Sequence, residues 1–160
     1  MIIRPAGPSD ANDMWSILEP TIRAGETYTL PREMDRERAL EYWFSPDHTV
    51  FVAEEDGEVL GTYYLRANQK GGGSHVGNCG YMTAARASGR GVATAMCEHS
   101  LEYARAHGFR AMQFNFVVSS NVGAIHLWQK FGFATIGRLP GAFLHPRLGY
   151  VDALVMYRTL

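Results

Sequence analysis

The sequence predicts an α/β fold of the α+β kind, a mixed sheet of about seven strands with about four helices packed on it. Three observations carry this reading. Between Arg90 and His107 the apolar residues Val92, Ala93, Met96, Cys97, Leu101 and Ala104 recur at the spacing of one buried helical face. Short runs rich in Val, Tyr and Phe, at 50–54, 58–66 and 112–118, have the composition of strands and alternate with helical segments. Asp56-Gly57 lies between two of those runs and suits a tight hairpin turn, because both residues tolerate positive φ.

Taken in order, residues 1–6 form a short strand. Ser9 or Asp10 can cap a helix whose apolar positions Ala11, Met14, Trp15, Leu18 and Ile22 follow helical spacing, and Gly25 ends it. After the polar loop 25–31, Asp35 can cap a second helix with Ala39, Leu40, Trp43 and Phe44 on one side; Ser45-Pro46 stops it. The hairpin over 50–66 follows. A Gly71-Gly72-Gly73 connection leads to a fourth strand over 75–83, and then comes the long helix closed by Gly108. Strand 112–118, helix 121–131 and strands 133–139 and 150–157 complete the order β-α-α-β-β-β-α-β-α-β-β. No repeat, linker or low-complexity segment divides the chain, so residues 1–160 are expected to form one domain.

Composition narrows the function by exclusion. Hydrophobic residues make up 46% and charged residues 19%, which is ordinary for a globular protein and unlike a disordered chain. The Lys and Arg residues are scattered and the net charge is −1, so neither nucleic acid nor an anionic membrane finds a basic surface; a small-molecule partner fits better. Cys79 and Cys97 stand outside any CxxC or His-Cys cluster, so no metal is expected and the thiols should be reduced. Met1-Ile2-Ile3-Arg4-Pro5 lacks the apolar core of a signal peptide, and no apolar stretch is long enough to span a bilayer. A cytoplasmic location is expected.

Chemistry concentrates in the turn between the fourth strand and the long helix. Glycine-rich turns of this kind bind dinucleotides when they read GxGxxG and nucleoside triphosphates when they read GxxxxGK followed by Ser or Thr. Gly89-Arg90-Gly91-Val92-Ala93-Thr94 supplies neither. It offers free backbone N–H groups at a helix start, where a pyrophosphate binds well, and glycines that let the backbone approach it. Arg86, Gly89 and Gly91 together resemble the Arg-x-x-Gly-x-Gly pyrophosphate signature of the GNAT N-acetyltransferase superfamily. Asn121, Ala124, Trp128, Gly132 and Phe133 are similar to that family's following helix, and the element order is similar over nearly the whole chain. The tail, Gly137 to Phe143 with Gly149 to Asp152, resembles a bacterial subgroup of the same acetyltransferases.

The resemblance implies a mostly antiparallel sheet with the fourth and fifth strands splayed, and acetyl-coenzyme A as cosubstrate. Its pyrophosphate should be held at Arg86, Ser88, Gly89, Arg90, Gly91, Val92 and Ala93. The pantetheine arm should enter the gap, bonded by main chain at Met82 and Thr83 and lined by Asn121, Ala124 and Trp128, with a main-chain N–H near Tyr81 or Met82 polarising the thioester carbonyl. An amine with a pKa of about 10.4 is protonated at neutral pH and needs a route for its proton. His75, at the start of the fourth strand, and Glu26, in the first inter-helix loop, are the candidate bases. Trp128 stands where the family often carries a tyrosine that protonates the leaving thiolate; Tyr64 or Tyr81 could replace it, or the thiolate leaves unaided.

Asn115 interrupts an apolar run and should either tie the splayed strands together or contact the acceptor, while Tyr28, Tyr63, Tyr64 and Asn78 are further pocket candidates. The implied activity is acetyl transfer to a primary amine of a small molecule, by direct attack in a ternary complex. A non-catalytic acyl-coenzyme A sensor, which Trp128 keeps open, and a protein N-acetyltransferase with an open acceptor groove are the alternatives. Apolar residues between Phe143 and Tyr157 point to a homodimer.

Overall fold

Asp56 and Gly57 adopt φ of 53° and 80°, the left-handed pair that a two-residue hairpin requires. They fold strand β2 (Thr49–Glu55) back on β3 (Glu58–Ala67). In the computed structural model, which describes residues 1–160, this hairpin belongs to one sheet with β1 (Ile2–Pro5), β4 (Val76–Thr83), β5 (Ala111–Val118), β6 (Ala134–His145) and β7 (Gly149–Thr159). The strand order is β1-β2-β3-β4-β5-β7-β6, and every neighbouring pair is antiparallel except β4 and β5. That parallel pair holds only at Val76–Ala111 and Gly77–Met112, after which the two strands part.

Four helices cover the sheet: α1 (Ala11–Ala24), α2 (Arg36–Trp43), α3 (Val92–Ala106) and α4 (Val122–Lys130). Gly25, at φ 64°, closes α1, and the Asp35 carboxylate starts α2 by accepting the Arg38 N–H at 2.8 Å. The buried stripe of α1 is Met14, Ile17, Leu18 and Ile22; Ala11 and Trp15, expected on it, lie at its margins. Each such burial contributes on the order of 1.5–3 kcal/mol. Polar groups under the helices are satisfied: Trp43 Nε1 donates to Thr62 Oγ1 at 3.0 Å, and Thr62 donates on to the Phe51 carbonyl. Where β1 turns into α1, the buried Asp10 carboxylate accepts two bonds from Arg4, at 2.8 and 3.0 Å, and the Gly7 N–H at 2.8 Å.

One segment differs from its expected form. Strand β6 runs through Pro140-Gly141 to His145 rather than stopping at Leu139. It is the edge strand, where a proline can replace an outward N–H without breaking a ladder bond. The register slips between Leu139 and Phe143, where Gly141 at φ 57° donates its N–H to Asp152 Oδ1 at 2.9 Å. The triple-glycine segment closes as a 3₁₀ turn, with Gly73 N–H bonded to the Lys70 carbonyl, and joins β3 to β4. No helix is long and apolar enough to cross a membrane.

Candidate active site

Alternation in the β3–β4 ladder decides which main-chain groups face the gap. The Ala84 N–H bonds to the Leu60 carbonyl and the Asn68 N–H to the Val76 carbonyl, both at 2.8 Å. The register between them is unbroken. Even-numbered residues of β4 therefore turn their N–H and C=O to β3, and odd-numbered residues turn theirs to the gap. Tyr81 and Thr83 present main-chain groups where no strand stands. Met82, expected to bond pantetheine, is turned to Thr62 instead. The Tyr81 carbonyl already accepts Tyr28 Oη at 2.8 Å, so the Tyr81 N–H is the donor left beside it.

Just past the open end of β4, Gly89 and Gly91 take φ of 76° and 78° and bring the chain into α3. The N–H groups of Gly89, Gly91, Val92, Ala93 and Thr94 have no backbone partner, whereas Arg90 turns its N–H back to the Ala87 carbonyl. The donor cradle thus extends one residue further than expected and skips Arg90. Five unpaired N–H groups at and just before a helix start suit an anion. The arginine side chains of the turn are engaged elsewhere: Arg86 donates to the Val59 carbonyl at 3.1 Å and Arg90 pairs with Glu55. Both pin the turn to the β2–β3 hairpin. Ser88 is exposed in the same turn.

Between this cradle and the helices α1 and α2 runs a cleft of ≈ 520 Å³. Asn121, Ala124 and Trp128 line its α4 side. Trp128 packs against Tyr81 and Phe114, with ring centroids 5.1 and 4.8 Å away, so it serves the core and the cleft wall together. The opposite end is walled by Tyr28, Tyr42, Tyr64 and Asn78. Tyr64 lies across Gly80, stacks on His48 at 4.0 Å and meets Tyr42 Oη at 3.1 Å. Desolvation pushes the Tyr28 and Tyr64 phenols well above their ordinary range.

The match to known proteins decides the family. The model of the acetyltransferase (GNAT) family matches residues 12–133. This chain belongs to that family. A GCN5-related N-acetyltransferase from Kribbella flavida superposes with a TM-score of 0.95 at 40% identity, over 99% of this chain and 97% of that one. N-acetyltransferase aca1 of Schizosaccharomyces pombe is 26% identical over 151 residues, 84% of this chain and 72% of aca1. A GNAT phosphinothricin acetyltransferase from Sinorhizobium meliloti, solved in complex with acetyl-coenzyme A, shares the fold with a TM-score of 0.86 at 21% identity, over 99% of this chain and 88% of that one.

In this acetyltransferase the proposed bases do not meet the cleft. His75 is exposed one residue before β4, where β4 and β5 are still joined, and it does not line the cleft. Six residues separate it from Tyr81, about 20 Å of extended chain. Glu26 flanks the lining residues Thr27 and Tyr28, but its carboxylate pairs with Arg147 at 2.7 Å. The Tyr81 phenol meets Ser100 Oγ at 2.7 Å, and Ser100 donates to the Cys97 carbonyl. Its proton is therefore committed to Ser100, and burial raises its pKa far above the ordinary value. Tyr63 points the same way, to His99 Nδ1 at 2.7 Å, away from the acceptor end. Cys79 lines the cleft, but burial pushes its thiol up to about 12, so it is neutral near pH 7 and no nucleophile.

Asn115 ties strands together: it donates to Asn68 Oδ1 at 2.6 Å and accepts from Gln113 at 2.9 Å, at the bulge in β5. Asn78, by contrast, has its side chain in the cleft with no bond to another protein group. Sequence reasoning missed Arg66, Tyr42 and Thr94. Arg66 was within reach, because it stands two residues after Tyr64 on the same strand and so shares its face.

Proposed function

We propose that this acetyltransferase moves the acetyl group of acetyl-coenzyme A to the amine of a small molecule by direct attack in a ternary complex. The observation that carries the reading is the Tyr81 N–H, aimed into the gap at the end of a strand whose following turn offers five free N–H groups. The cradle suits the pyrophosphate, and the gap between β4 and β5 suits the pantetheine arm, which bonds to Thr83 as a missing strand would. The amine nitrogen attacks the thioester carbon, and the carbonyl oxygen gathers charge against the Tyr81 N–H. The C–S bond then breaks and the thiolate, with a pKa of about 8.5, leaves without a dedicated acid. With no carboxylate or imidazole among the lining residues, the amine's proton passes to water.

A small acceptor is favoured by the walls. The Glu26–Arg147 pair joins the loop before Tyr28 to the β6–β7 turn, and Tyr42 and Tyr64 close the far side. Release of free thiol from acetyl-coenzyme A with a panel of small amines and peptides tests the reading. Turnover of small amines supports it. Turnover of peptides alone assigns protein acetylation, and tight binding of acetyl-coenzyme A without any turnover assigns the sensor.

A further inference from the structure

Of the residues that line the cleft, Arg66 alone carries a formal charge. It stands on β3 opposite Asn78, three residues along β4 from Tyr81, or about 10 Å of strand. Its side chain shares the face of Tyr64 and Thr62, the face that looks toward α1 and α2. A cation at this point lies at the acceptor end, away from the pyrophosphate cradle.

Its pairing within the protein is incomplete. The one carboxylate near it, Asp47, comes no closer than 3.9 Å to Nη1, beyond hydrogen-bond length, and is itself 64% exposed. The Nε–H is buried and donates to nothing. A buried donor without an acceptor is rare and costly in a folded protein, so one on a side chain that lines a cleft points to a partner group brought by a ligand. Beside it the Asn78 side chain is also without a protein partner. Since Nη1 is turned to Asp47, the edge formed by Nε and Nη2 remains, and that edge carries two parallel N–H groups. Two parallel donors match the two oxygens of a carboxylate.

Resting on the proposed amine acetylation, we infer that the acceptor is an amine that also carries a carboxylate, and that Arg66 selects it. The acid group docks at Arg66 and Asn78, and the amine extends along β4 toward the thioester carbon at Tyr81. The short span keeps both groups within one small molecule. An ester or amide of the same compound loses the charge-assisted pair and leaves Arg66 as it is in the empty cleft.

The test compares common L-amino acids with their carboxamides, as binding to the protein saturated with coenzyme A and as turnover with acetyl-coenzyme A. At least one acid should bind roughly tenfold tighter than its amide and show the same preference in KM with kcat little changed. Arg66→Gln should erase that preference at an unchanged unfolding temperature, while Asp47→Asn, which removes only the neighbouring surface carboxylate, should preserve it. The inference is overturned if acids and amides bind alike, if no acid binds, if Arg66→Gln keeps the preference, or if Asp47→Asn abolishes it. Loss of acetyl transfer to every amine, with the acid preference in binding intact, would instead overturn the proposed activity.

Discussion

At the scale of single residues, two glycines separate the two halves of the cleft. Gly91 holds φ at 78°, and a Cβ there would meet no protein atom within 4 Å, so the space beside it is open. Gly91→Val should cost roughly 1–2 kcal/mol in left-handed backbone strain and place two methyl groups among the free N–H groups. Acetyl-coenzyme A affinity should fall by at least about tenfold, ~1.4 kcal/mol, in a protein that still folds; calorimetry showing unchanged affinity would remove the cradle from the site. Gly80 answers for the other half. A Cβ there comes within 2.6 Å of the Tyr64 ring, which His48 and Trp43 hold by stacking and edge contact. Gly80→Ala should displace that ring and raise the acceptor KM several-fold while acetyl-coenzyme A affinity stays level; a uniform loss of both would mean a general disturbance of β4. The cradle was legible in the sequence because Gly89 and Gly91 act through local φ. At the acceptor end Tyr28, Tyr64 and Asn78 were legible, and Tyr42, Arg66 and the absence of a base were not. His75 was chosen for side-chain chemistry, yet strand splay and cross-strand bonding decide which side chains meet the cleft, and those are long-range; Asn115 lines the cleft and ties strands together, as one of its two expected roles had it.

At the scale of elements, buried titratable groups fasten the helical layer to the sheet. Asp10, with Arg4 as its chief partner, is held below the ordinary carboxylate value of 3.8 where β1 meets α1. Its contribution to stability is full above that value and is lost as pH falls through the lower folded value. His48, between α2 and β2, has a side chain only 4% exposed, and desolvation lowers it below 6.5. Protonation is thus easier in the unfolded chain, and stability falls as pH drops below about 6.5. His99 is lowered by the same cause and acts in the same window. Urea midpoints followed from neutral pH downward should fall in two stages, the upper from the histidines and the lower from Asp10. His48→Phe, which keeps a ring on Tyr64, should weaken the upper stage, and Asp10→Asn the lower; a single stage, unchanged by either, would refute this account. The elements themselves were legible from caps and spacing, as Asp35, Asp56-Gly57 and Gly25 show. The length of β6 was not, because Pro140 stops a central strand and not an edge strand, and edge position depends on the whole sheet order.

At the scale of the whole molecule, the edge of the sheet is its least protected surface. On the β6–β7 hairpin Ile136, Leu144, Leu148 and Tyr150 are 60%, 60%, 62% and 76% exposed. Leu144 and Tyr150 are cross-strand partners and so stand side by side on one face, while Phe143 beneath them is buried near Phe116. An exposed strand edge flanked by large apolar side chains is a surface that proteins cover. A second copy of the chain is the expected cover, so light scattering should give twice the 17.8 kDa chain mass, and Leu144→Glu with Tyr150→Glu should restore the single mass. A mass of 17.8 kDa for the unaltered protein at high concentration would dispose of the dimer. The same hairpin ends in Arg147, which holds Glu26 beside the acceptor loop. Covering the hairpin would therefore steady one wall of the acceptor pocket, and the monomeric variant should show a raised acceptor KM with acetyl-coenzyme A binding unchanged, because the cradle lies in the turn before α3 and its first residues, outside the β6–β7 hairpin.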